Sequence, residues 1–453
     1  MRYLSTAISL ALGLAALSAS AKAEEASPDS LMTRETLTGA WGGLRNAADD
    51  AGVKFSGSYT GEVLGNPTGG TRQRAMAEGL LEVDLDVDFD KLVGLGGLSF
   101  HISTFQIHGR GLSGNAIGNQ FTVRDIEAGP STRIWSMWLQ QKFLDDAASV
   151  RLGQMPWQEE FVVSAYGAYF INGTFGWPNG FAANFSNTGG AYPLATTGIR
   201  LAATPGDKLG LMIAAFDGDP AKGNPRGQDA TRYNTDGLNV RLKSPPVYFA
   251  EASYGEDKDA EGLPTMVKLG GWVHTGRFDD PHWATNGVSL GSPASTGIPQ
   301  GHRGNWEMYG IVDTMLWRDA DNAKRNVGAF TRIMGGPTDR NQIPYYGEVG
   351  LTWQGMIEDR DEDVAGLALA YGKMSPGLAS QDRDARMFGT SLAPDRDFEM
   401  AVEALYRVQM APWWTVIPDA QYIVHPGGHV AVPGSSRPIP DDWVLGLRTV
   451  FKL

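Results

Sequence analysis

Residues 81–89 carry the sequence LEVDLDVDF, in which apolar and acidic side chains alternate without interruption. Every odd position from Leu81 to Phe89 is apolar, and every even position from Glu82 to Asp88 is acidic. A helix would distribute these acids around its axis, whereas an extended strand directs them all to one side. The stretch is therefore predicted to be a β-strand with one apolar face and one face turned to water, in a sheet between lipid and water or in a half-exposed soluble sheet.

The same period of two recurs from residue 53 onward. Val53, Phe55 and Val63 share one face, while Lys54 and Glu62 fall on the other. Further strands are predicted at 98–106, 135–140, 149–154, 198–204, 209–216, 238–243, 247–254, 267–274, 305–313, 327–333, 347–354, 365–371, 400–407, 415–424 and 443–452. These make seventeen segments, but bacterial single-chain barrels have an even number of strands. The predicted fold is therefore an all-β, transmembrane, antiparallel β-barrel of sixteen strands with a short N-terminal helix.

Composition favours a barrel over other classes. A mean hydropathy of −0.23 is too low for a helical membrane protein, whereas only alternate residues of a barrel strand face lipid. The formal net charge of −13 argues against a nucleic-acid partner, because phosphate contacts need clustered Lys and Arg. The chain has no Cys, which a closed barrel does not need because its strand ladder satisfies the backbone.

The first residues have the features of a secretory signal peptide. Arg2 precedes an apolar run, and the residues 21–23, AKA, fit the small-x-small cleavage pattern. We expect a signal peptide at 1–23, a periplasmic segment at 24–52 whose short helix ends at Gly52, and the barrel at 53–453. Export by this route, together with a β-barrel, predicts localisation in a bacterial outer membrane.

One long stretch has no charged residue, from Phe161 to Ile199. Gly, Asn and Pro interrupt it throughout, so it lacks the run of about 18 apolar residues that a membrane helix needs. It is predicted to be a long, folded, aromatic-rich loop around 155–197 that lies inside the barrel or on its surface. Loops of this length in compact domains are usually functional.

Several short motifs in chain order resemble the carbohydrate-selective porins of the OprB type. They are LTGAWGGLR (37–45), FGWP (175–178), FDGDP (216–220), HTGRF (274–278), DRN (339–341) and QYIVHPGG (421–428). The resemblance implies a sixteen-stranded barrel with a channel that accepts sugars, and it implies no catalysis.

A pore for sugars needs hydrogen-bonding groups for hydroxyls and flat aromatic rings for the C–H faces. Trp177 in the uncharged loop is the predicted stacking platform, with Asn172, Asn179 and Asn184 as hydrogen-bond partners; the alternative is that Trp177 only packs the loop against the wall. Trp138 and Trp272 lie on the polar sides of their strands, whereas Trp135 is predicted to face lipid with Met137 and Leu139. The other predicted pore-lining residues are Lys54, Glu62, Glu82, Asp84, Arg151, Arg241, Lys268, Glu403 and Arg407.

No metal site or cofactor is predicted. The acids of 82–88 could attract calcium, but side chains on one face of a strand lie roughly 6.6 Å apart, so a solvated pore wall is preferred. Asp217-Gly218-Asp219-Pro220 is typical of a turn that leaves a strand. The residues 425–428, HPGG, are expected to be structural, while His274 and Arg277 could face the pore.

The predicted function is passive diffusion of small neutral sugars, such as glucose, across the outer membrane into the periplasm. Two alternatives stay open: a general-diffusion porin without sugar preference and, outside this class, a secreted all-β glycoside hydrolase. We expect contact with outer-membrane lipid, no enzymatic activity and no nucleic-acid partner. The sequence does not decide between a monomer and a homotrimer.

Overall fold

The computed structural model describes residues 30–224, 229–238 and 240–453. The predicted signal peptide at 1–23 and the first part of the 24–52 segment lie outside these ranges. The hydrophobic core of the described residues lies inside a closed sheet, between the inner face of the strands and two loops that enter it.

Sixteen strands form one closed antiparallel barrel, in which β1 pairs with β16, so the predicted fold class is confirmed. The strands are β1 (Val53–Gly65), β2 (Ala75–Asp88), β3 (Leu98–Gly109), β4 (Ser131–Phe143), β5 (Ala148–Met155), β6 (Thr196–Ala203), β7 (Leu209–Asp217), β8 (Pro246–Gly255), β9 (Thr265–Ala284), β10 (Pro299–Arg318), β11 (Asn326–Gly335), β12 (Tyr345–Gln354), β13 (Val364–Lys373), β14 (Phe398–Ala411), β15 (Trp414–Val424) and β16 (Asp442–Lys452).

The connections differ in length between the two ends of the barrel. One end has the turns 89–97, 144–147, 204–208, 256–264, 319–325, 355–363 and 412–413. The other end has the loops 66–74, 110–130, 156–195, 218–245, 285–298, 336–344, 374–397 and 425–441. Outer-membrane barrels have short turns at the periplasmic end and longer loops at the extracellular end, which gives the orientation of this barrel.

Helical segments are short. Those in the described residues are Trp41–Gly43, Leu44–Asp50, Phe89–Val93, Ser113–Ile117, Trp157–Glu159, Gly167–Tyr169, Gly173–Gly176, Asn179–Ala182, Ser186–Thr188, Ala230–Arg232, Pro376–Met387 and Pro426–His429. In the part of the chain that the structure describes, no helix combines the length and the apolar character needed to span a bilayer.

The predicted N-terminal helix is confirmed as Leu44–Asp50, and it lies beside the closure of the barrel. The Arg45 guanidinium donates hydrogen bonds to the carbonyl oxygens of Phe55 at 3.0 Å and Leu453 at 2.9 Å. Gly52 follows the helix with φ +90°, and a Cβ there would lie 2.6 Å from the carbonyl oxygen of Asp88. The tight turn into β1 therefore requires glycine.

The outer face of the barrel is apolar and carries aromatic residues near both ends. Its exposed aliphatic side chains include Val63, Val83, Leu139, Leu152, Leu201, Ile213, Leu269, Ile333, Val349, Leu367 and Leu445. Exposed aromatic side chains near the extracellular strand ends include Tyr248, Trp306, Tyr345 and Trp443, and those near the periplasmic ends include Tyr254, Trp317 and Trp353. An apolar band between two aromatic girdles is typical of barrels in outer membranes.

One predicted strand, 238–243, is wrong, and its removal reduces the seventeen segments to sixteen. The described part of this stretch belongs to loop 218–245 and pairs with no strand, and Leu238, Val240 and Leu242 are exposed there. Arg241, predicted to line the pore from this strand, lies in the loop, and its guanidinium donates to the carbonyl oxygen of Asp219 at 3.2 Å. Alternation alone does not make a strand where no neighbouring strand is available to pair with it.

A β-bulge reverses the predicted orientation of Trp135. The register between β3 and β4 shifts at this point, since Ser103 pairs with Ser136 and Thr104 pairs with Ile134. Trp135 is thereby turned from the lipid face into the barrel, where its ring stacks on Phe105 at 4.9 Å. A bulge adds one residue to one strand and so re-aims the side chain at that position.

Candidate functional site

Loop 156–195, between β5 and β6, lies inside the barrel. Its residues Trp157, Phe161, Phe175 and Phe181 are almost completely buried, and the Phe161 ring stacks on Phe249 of the barrel wall at 4.9 Å. The absence of charge from Phe161 to Ile199 has a physical reason here, because an unpaired charge in this packed interior would be costly. Of the two locations predicted for the loop, the structure shows the inward one.

Carboxylates on the barrel wall bind the loop through its backbone. The carboxylate of Glu403 accepts hydrogen bonds from the N–H groups of Ile171 at 2.7 Å and Asn172 at 2.9 Å. Asp313 binds the loop in the same way, accepting from the N–H of Ala165 at 3.2 Å, and Glu251 accepts from the N–H of Val162, also at 3.2 Å. Buried N–H groups need acceptors, and these carboxylates supply them where the loop has no ladder of its own.

Arg332 binds the same loop through its carbonyl groups. Its fully buried guanidinium donates to the carbonyl oxygens of Val162 at 2.8 Å and of Phe175, and it pairs with Glu348. The lumen face of β7–β15 that lies beneath loop 156–195 is called the covered wall below.

The residues predicted for sugar binding in loop 156–195 are engaged in contacts within the protein. Trp177 is 6% exposed, its ring meets Phe181 edge to face at 5.2 Å, and its Nε1–H donates to the carbonyl oxygen of Phe161 at 2.9 Å. Asn172 donates to Gln421 at 2.9 Å, and Asn184 donates to Glu307 at 2.6 Å. These contacts favour the alternative that Trp177 packs the loop.

Asn179, the last candidate in the loop, and the candidates on the covered wall also make contacts within the protein. Asn179 is half-buried and approaches Thr122 at 3.4 Å. Trp272 faces the lumen as its alternation predicts, but loop 156–195 covers it, and its ring lies 4.2 Å from that of Phe185. Glu403 and Lys268 also face the lumen and are engaged by this loop, since Lys268 donates to the carbonyl oxygen of Val163 at 2.8 Å.

A second loop, 110–130, also enters the barrel. Its Asp125 N–H donates to the carbonyl oxygen of Ile171 at 2.9 Å, and the Gly173 N–H donates to the carbonyl oxygen of Thr122 at 2.8 Å. The two inward loops are therefore hydrogen bonded to each other, and together they narrow the lumen. No pattern in the sequence predicted that 110–130 enters the barrel.

Loop 110–130 is fixed to β1, β2 and β16 by ion pairs. Arg448 pairs with Glu62 and with Asp125, while Arg124 lies 3.2 Å from Glu78 and 3.4 Å from Glu62. All of these side chains are buried except that of Asp125, which is 36% exposed. The sequence indicated this cluster only through the charged residues on the polar faces of β1 and β16, because buried charges need partners.

The remaining part of the lumen face stays partly exposed. We call it the free wall and define it by Glu82, Asp84, Asp86, His101, Trp138, Gln140 and Arg151, all of them partly exposed. Of the predicted pore-lining set, Glu82, Asp84, Trp138 and Arg151 lie on this wall, and Lys54 is exposed near its periplasmic edge. Arg407 is half-buried and donates to the carbonyl oxygen of Tyr169 at 3.2 Å.

Trp138 organises the polar groups of the free wall. The guanidinium carbon of Arg151 lies 3.7 Å from the centre of its ring, and the His101 ring stacks on it at 4.9 Å. Because His101 belongs to β3 and Arg151 to β5, they approach the indole from opposite sides of β4. The faces of Trp138 are occupied, so its ring positions polar neighbours and offers no platform for a sugar.

The polar groups around Trp138 form a connected set. Arg151 donates to Gln140 at 2.9 and 3.1 Å and pairs with Glu160, which also pairs with Arg200 at 2.9 Å. On the other side, His101 contacts Asp86 at 2.7 Å. The arrangement provides hydrogen-bond donors and acceptors with much of its charge paired.

Cavities lie at both ends of the lumen. The extracellular one has a volume of about 560 Å³ and is lined by Thr71, Arg72, Gly114, Asn115, Gly118, Val430, Ala431, Val432, Pro433 and Ile439. The periplasmic one has a volume of about 250 Å³, and its lining includes Tyr166, Tyr169, Lys258, Arg318 and Gln354. They lie on the extracellular and the periplasmic side of the two inward loops.

Comparisons with known proteins agree with this architecture. Residues 72–453 match the model of the family described as "Carbohydrate-selective porin, OprB family". Porin B of Pseudomonas aeruginosa is 23% identical over 438 residues, covering 92% of each chain. A putative porin, QuiX, of Acinetobacter baylyi is also 23% identical, over 459 residues that cover 91% of this chain and 92% of that one.

Solved structures share the fold. The high-pH structure of Pseudomonas putida OprB superposes with a TM-score of 0.82 at 20% identity, covering 94% of this chain and 100% of that chain. The low-pH structure of the same protein gives a TM-score of 0.57 at 17% identity, covering 93% and 99% of the two chains.

Proposed function

The chain belongs to the OprB family of carbohydrate-selective porins, and from that premise we propose that single sugar units such as glucose cross it along the free wall. The protein is an outer-membrane porin for carbohydrates, and its family and fold are those of a channel. Beyond the family's function, we propose the size of the solute and the residues that the solute contacts. We propose no catalytic activity. We also propose that the apolar outer face contacts outer-membrane lipid.

The pairing of charges beside the passage carries this proposal. Arg151 pairs with Glu160 on one side, and Arg448 pairs with Asp125 on the other. Paired groups still offer N–H donors and carboxylate acceptors to hydroxyls, while the opposite charges within each pair largely offset each other. A neutral solute with many hydroxyls is suited to such a surface.

The free wall also has the property that transport requires, which is weak contact. Its Arg151, His101 and Asp86 already have partners, so a sugar that meets them exchanges one set of hydrogen bonds for another and gains little net free energy. Solutes must bind well enough to enter a channel and weakly enough to leave it. The wall therefore favours passage over retention.

Proteoliposome swelling tests the proposal. We expect glucose to enter faster than an amino acid of equal size, because the paired charges suit a neutral solute. We also expect glucose to enter faster than a disaccharide, because the two inward loops narrow the lumen. Arg151→Gln should lower the glucose rate, whereas the matched control Arg383→Gln, at an exposed loop position, should not. Equal rates for glucose and the amino acid, or an unchanged glucose rate in Arg151→Gln, would contradict it.

A further inference from the structure

We propose that Asp397, His425 and His429 form a binding site for a divalent transition-metal ion of the zinc class at the extracellular end of the barrel. One ligand atom from each residue lies within 4.8 Å of the other two. Asp397 immediately precedes β14, whereas His425 and His429 follow β15 in loop 425–441. The sequence predicted a purely structural role for residues 425–428 and did not single out the other two ligands.

The distances between the donor atoms fit a metal ion. The Nδ1 atom of His425 lies 3.0 Å from Oδ1 of Asp397, and Nδ1 of His429 lies 3.8 Å from Oδ2 of the same carboxylate. The imidazole rings are nearly parallel, at 8°, with centres 4.1 Å apart. Donor atoms at zinc bond lengths in a tetrahedral site are about 3.4 Å apart. Because the lone pair of each Nδ1 lies in its ring plane and the two planes are nearly parallel, one imidazole has to rotate about its side-chain bonds for both nitrogens to face one ion.

The backbone is strained at both histidines. His425 has φ +53° and His429 has φ +76°, in the left-handed region where a residue with a Cβ is disfavoured by about 1–2 kcal/mol. The two residues before His429, Gly427 and Gly428, also have positive φ angles and are glycines. Strained non-glycine residues are often found where side chains have a function, and here the strained backbone holds two imidazoles side by side.

The chemistry of the donors selects the class of ion. Imidazole suits zinc, copper and nickel, whereas calcium and magnesium prefer sites made of oxygen alone. The three side chains are between 26% and 33% exposed, so an ion can reach them, and water can supply a further ligand. Two histidines and one carboxylate with an open position form a common zinc ligand set.

A simple hydrogen bond between one histidine and one aspartate would not explain why a second histidine lies beside the same carboxylate. His282, near the extracellular end of β9, and Asp384, in the helix Pro376–Met387, form such a contact at 2.7 Å, and among the described residues no third metal-ligating side chain completes a group with them. That pair is therefore a matched control within the same chain.

A bound ion would connect two extracellular loops, and one of them packs on a third. It would join Asp397, the last residue of loop 374–397, to loop 425–441, which packs on the inward loop 110–130. A Cβ added at Gly427 would lie 2.8 Å from the carbonyl oxygen of Gly118 in that loop. Because Gly118 and Val430 line the extracellular cavity, the ion would fix the loops around the entrance.

The experiment uses the full chain without a polyhistidine tag, refolded in detergent so that no lipopolysaccharide is present. Zn²⁺ is titrated in competition with a metallochromic dye of micromolar affinity, and Co²⁺ is followed by its visible absorption. We expect one ion per chain and a cobalt spectrum of low coordination number. His429→Asn should weaken binding by at least about 10–100-fold. Asn tolerates a positive φ, and heat-modifiable migration in gels checks the fold.

Two further measurements complete the test. Asp397→Asn removes the anionic ligand and should weaken Zn²⁺ binding as well, while the control His282→Asn should bind like the unmodified chain. The proposal is overturned if the unmodified chain does not compete with the dye, if folded His429→Asn binds Zn²⁺ equally well, or if Ca²⁺ displaces Zn²⁺ at equal concentration.

Discussion

The two sides of the lumen use the same kind of residue for opposite purposes. On the covered wall, carboxylates such as Glu403 are buried and accept hydrogen bonds from the backbone of loop 156–195. On the free wall, carboxylates such as Asp84 and Asp86 remain partly exposed beside His101 and Arg151. A charged side chain on a lumen face is therefore not by itself a pore residue, because its role depends on whether a loop covers it.

The largest expected effect is that of Trp177→Ala, in the loop above the covered wall. Removing this nearly buried ring should lower the free energy of unfolding by about 3–5 kcal/mol, as for other large aromatic residues in packed interiors. The loosened loop should raise the fluxes of glucose and of an equal-sized amino acid together. Denaturant titration followed by gel migration, with swelling assays, measures both. A selective loss of sugar flux would restore the stacking role that the sequence suggested.

Glu403→Gln should have an intermediate effect. The amide keeps the shape of the side chain, but it has one acceptor oxygen, so of the two charge-assisted hydrogen bonds from the N–H groups of Ile171 and Asn172 one becomes neutral and the other is lost. We expect a loss of about 1–3 kcal/mol in the free energy of unfolding. Glu358→Gln, in the periplasmic turn 355–363, is the matched control and should be neutral. If both variants unfold alike, the covered wall does not anchor the loop through carboxylates.

Arg151→Gln, on the free wall, should change transport more than stability. The guanidinium is 18% exposed and its partner Glu160 keeps Arg200, so the free energy of unfolding should fall by about 1–2 kcal/mol, as for the loss of a hydrogen bond to a charged group. The rate of glucose entry should fall by about 2- to 10-fold, which corresponds to the net free energy of one hydrogen bond. A large loss of stability with unchanged glucose entry would place Arg151 with the covered wall.

The smallest effect is expected for Asp84→Asn. This side chain lies on the free wall, where its hydrogen bond with Ser56 is long, at 3.4 Å. We expect a change of less than about 0.5 kcal/mol in the free energy of unfolding and a change of less than about twofold in glucose flux. A destabilisation as large as that of Glu403→Gln would remove the distinction between the two walls.

The strands could be predicted from the sequence because lipid and lumen impose opposite demands on alternate residues. The prediction failed where that alternation lacked a partner, at 238–243, and where a bulge turned Trp135 inward. Neither event has a signature in the local pattern. A bulge depends on the register of the neighbouring strand, and a ladder depends on which segment lies next to it.

The site was predictable only in part. The uncharged stretch from Phe161 to Ile199 indicated a long aromatic loop, but not the role of Trp177. Its partner Phe181 is close in sequence, whereas the wall groups that fix this loop, such as Glu403 and Arg332, come from strands far along the chain. The approach of Asp125 to Arg448 is equally non-local.

Thiol accessibility tests the central claim most directly, because the chain contains no cysteine. Asp84→Cys places a thiol on the free wall, and Ala401→Cys places one on the lumen face of β14, where Ala401 is fully buried. In the folded protein, we predict that a bulky hydrophilic thiol reagent modifies the first rapidly and slows glucose entry, while the second does not react until the protein unfolds. Equal reaction of the two thiols in the folded protein would contradict a lumen divided into a covered and a free wall.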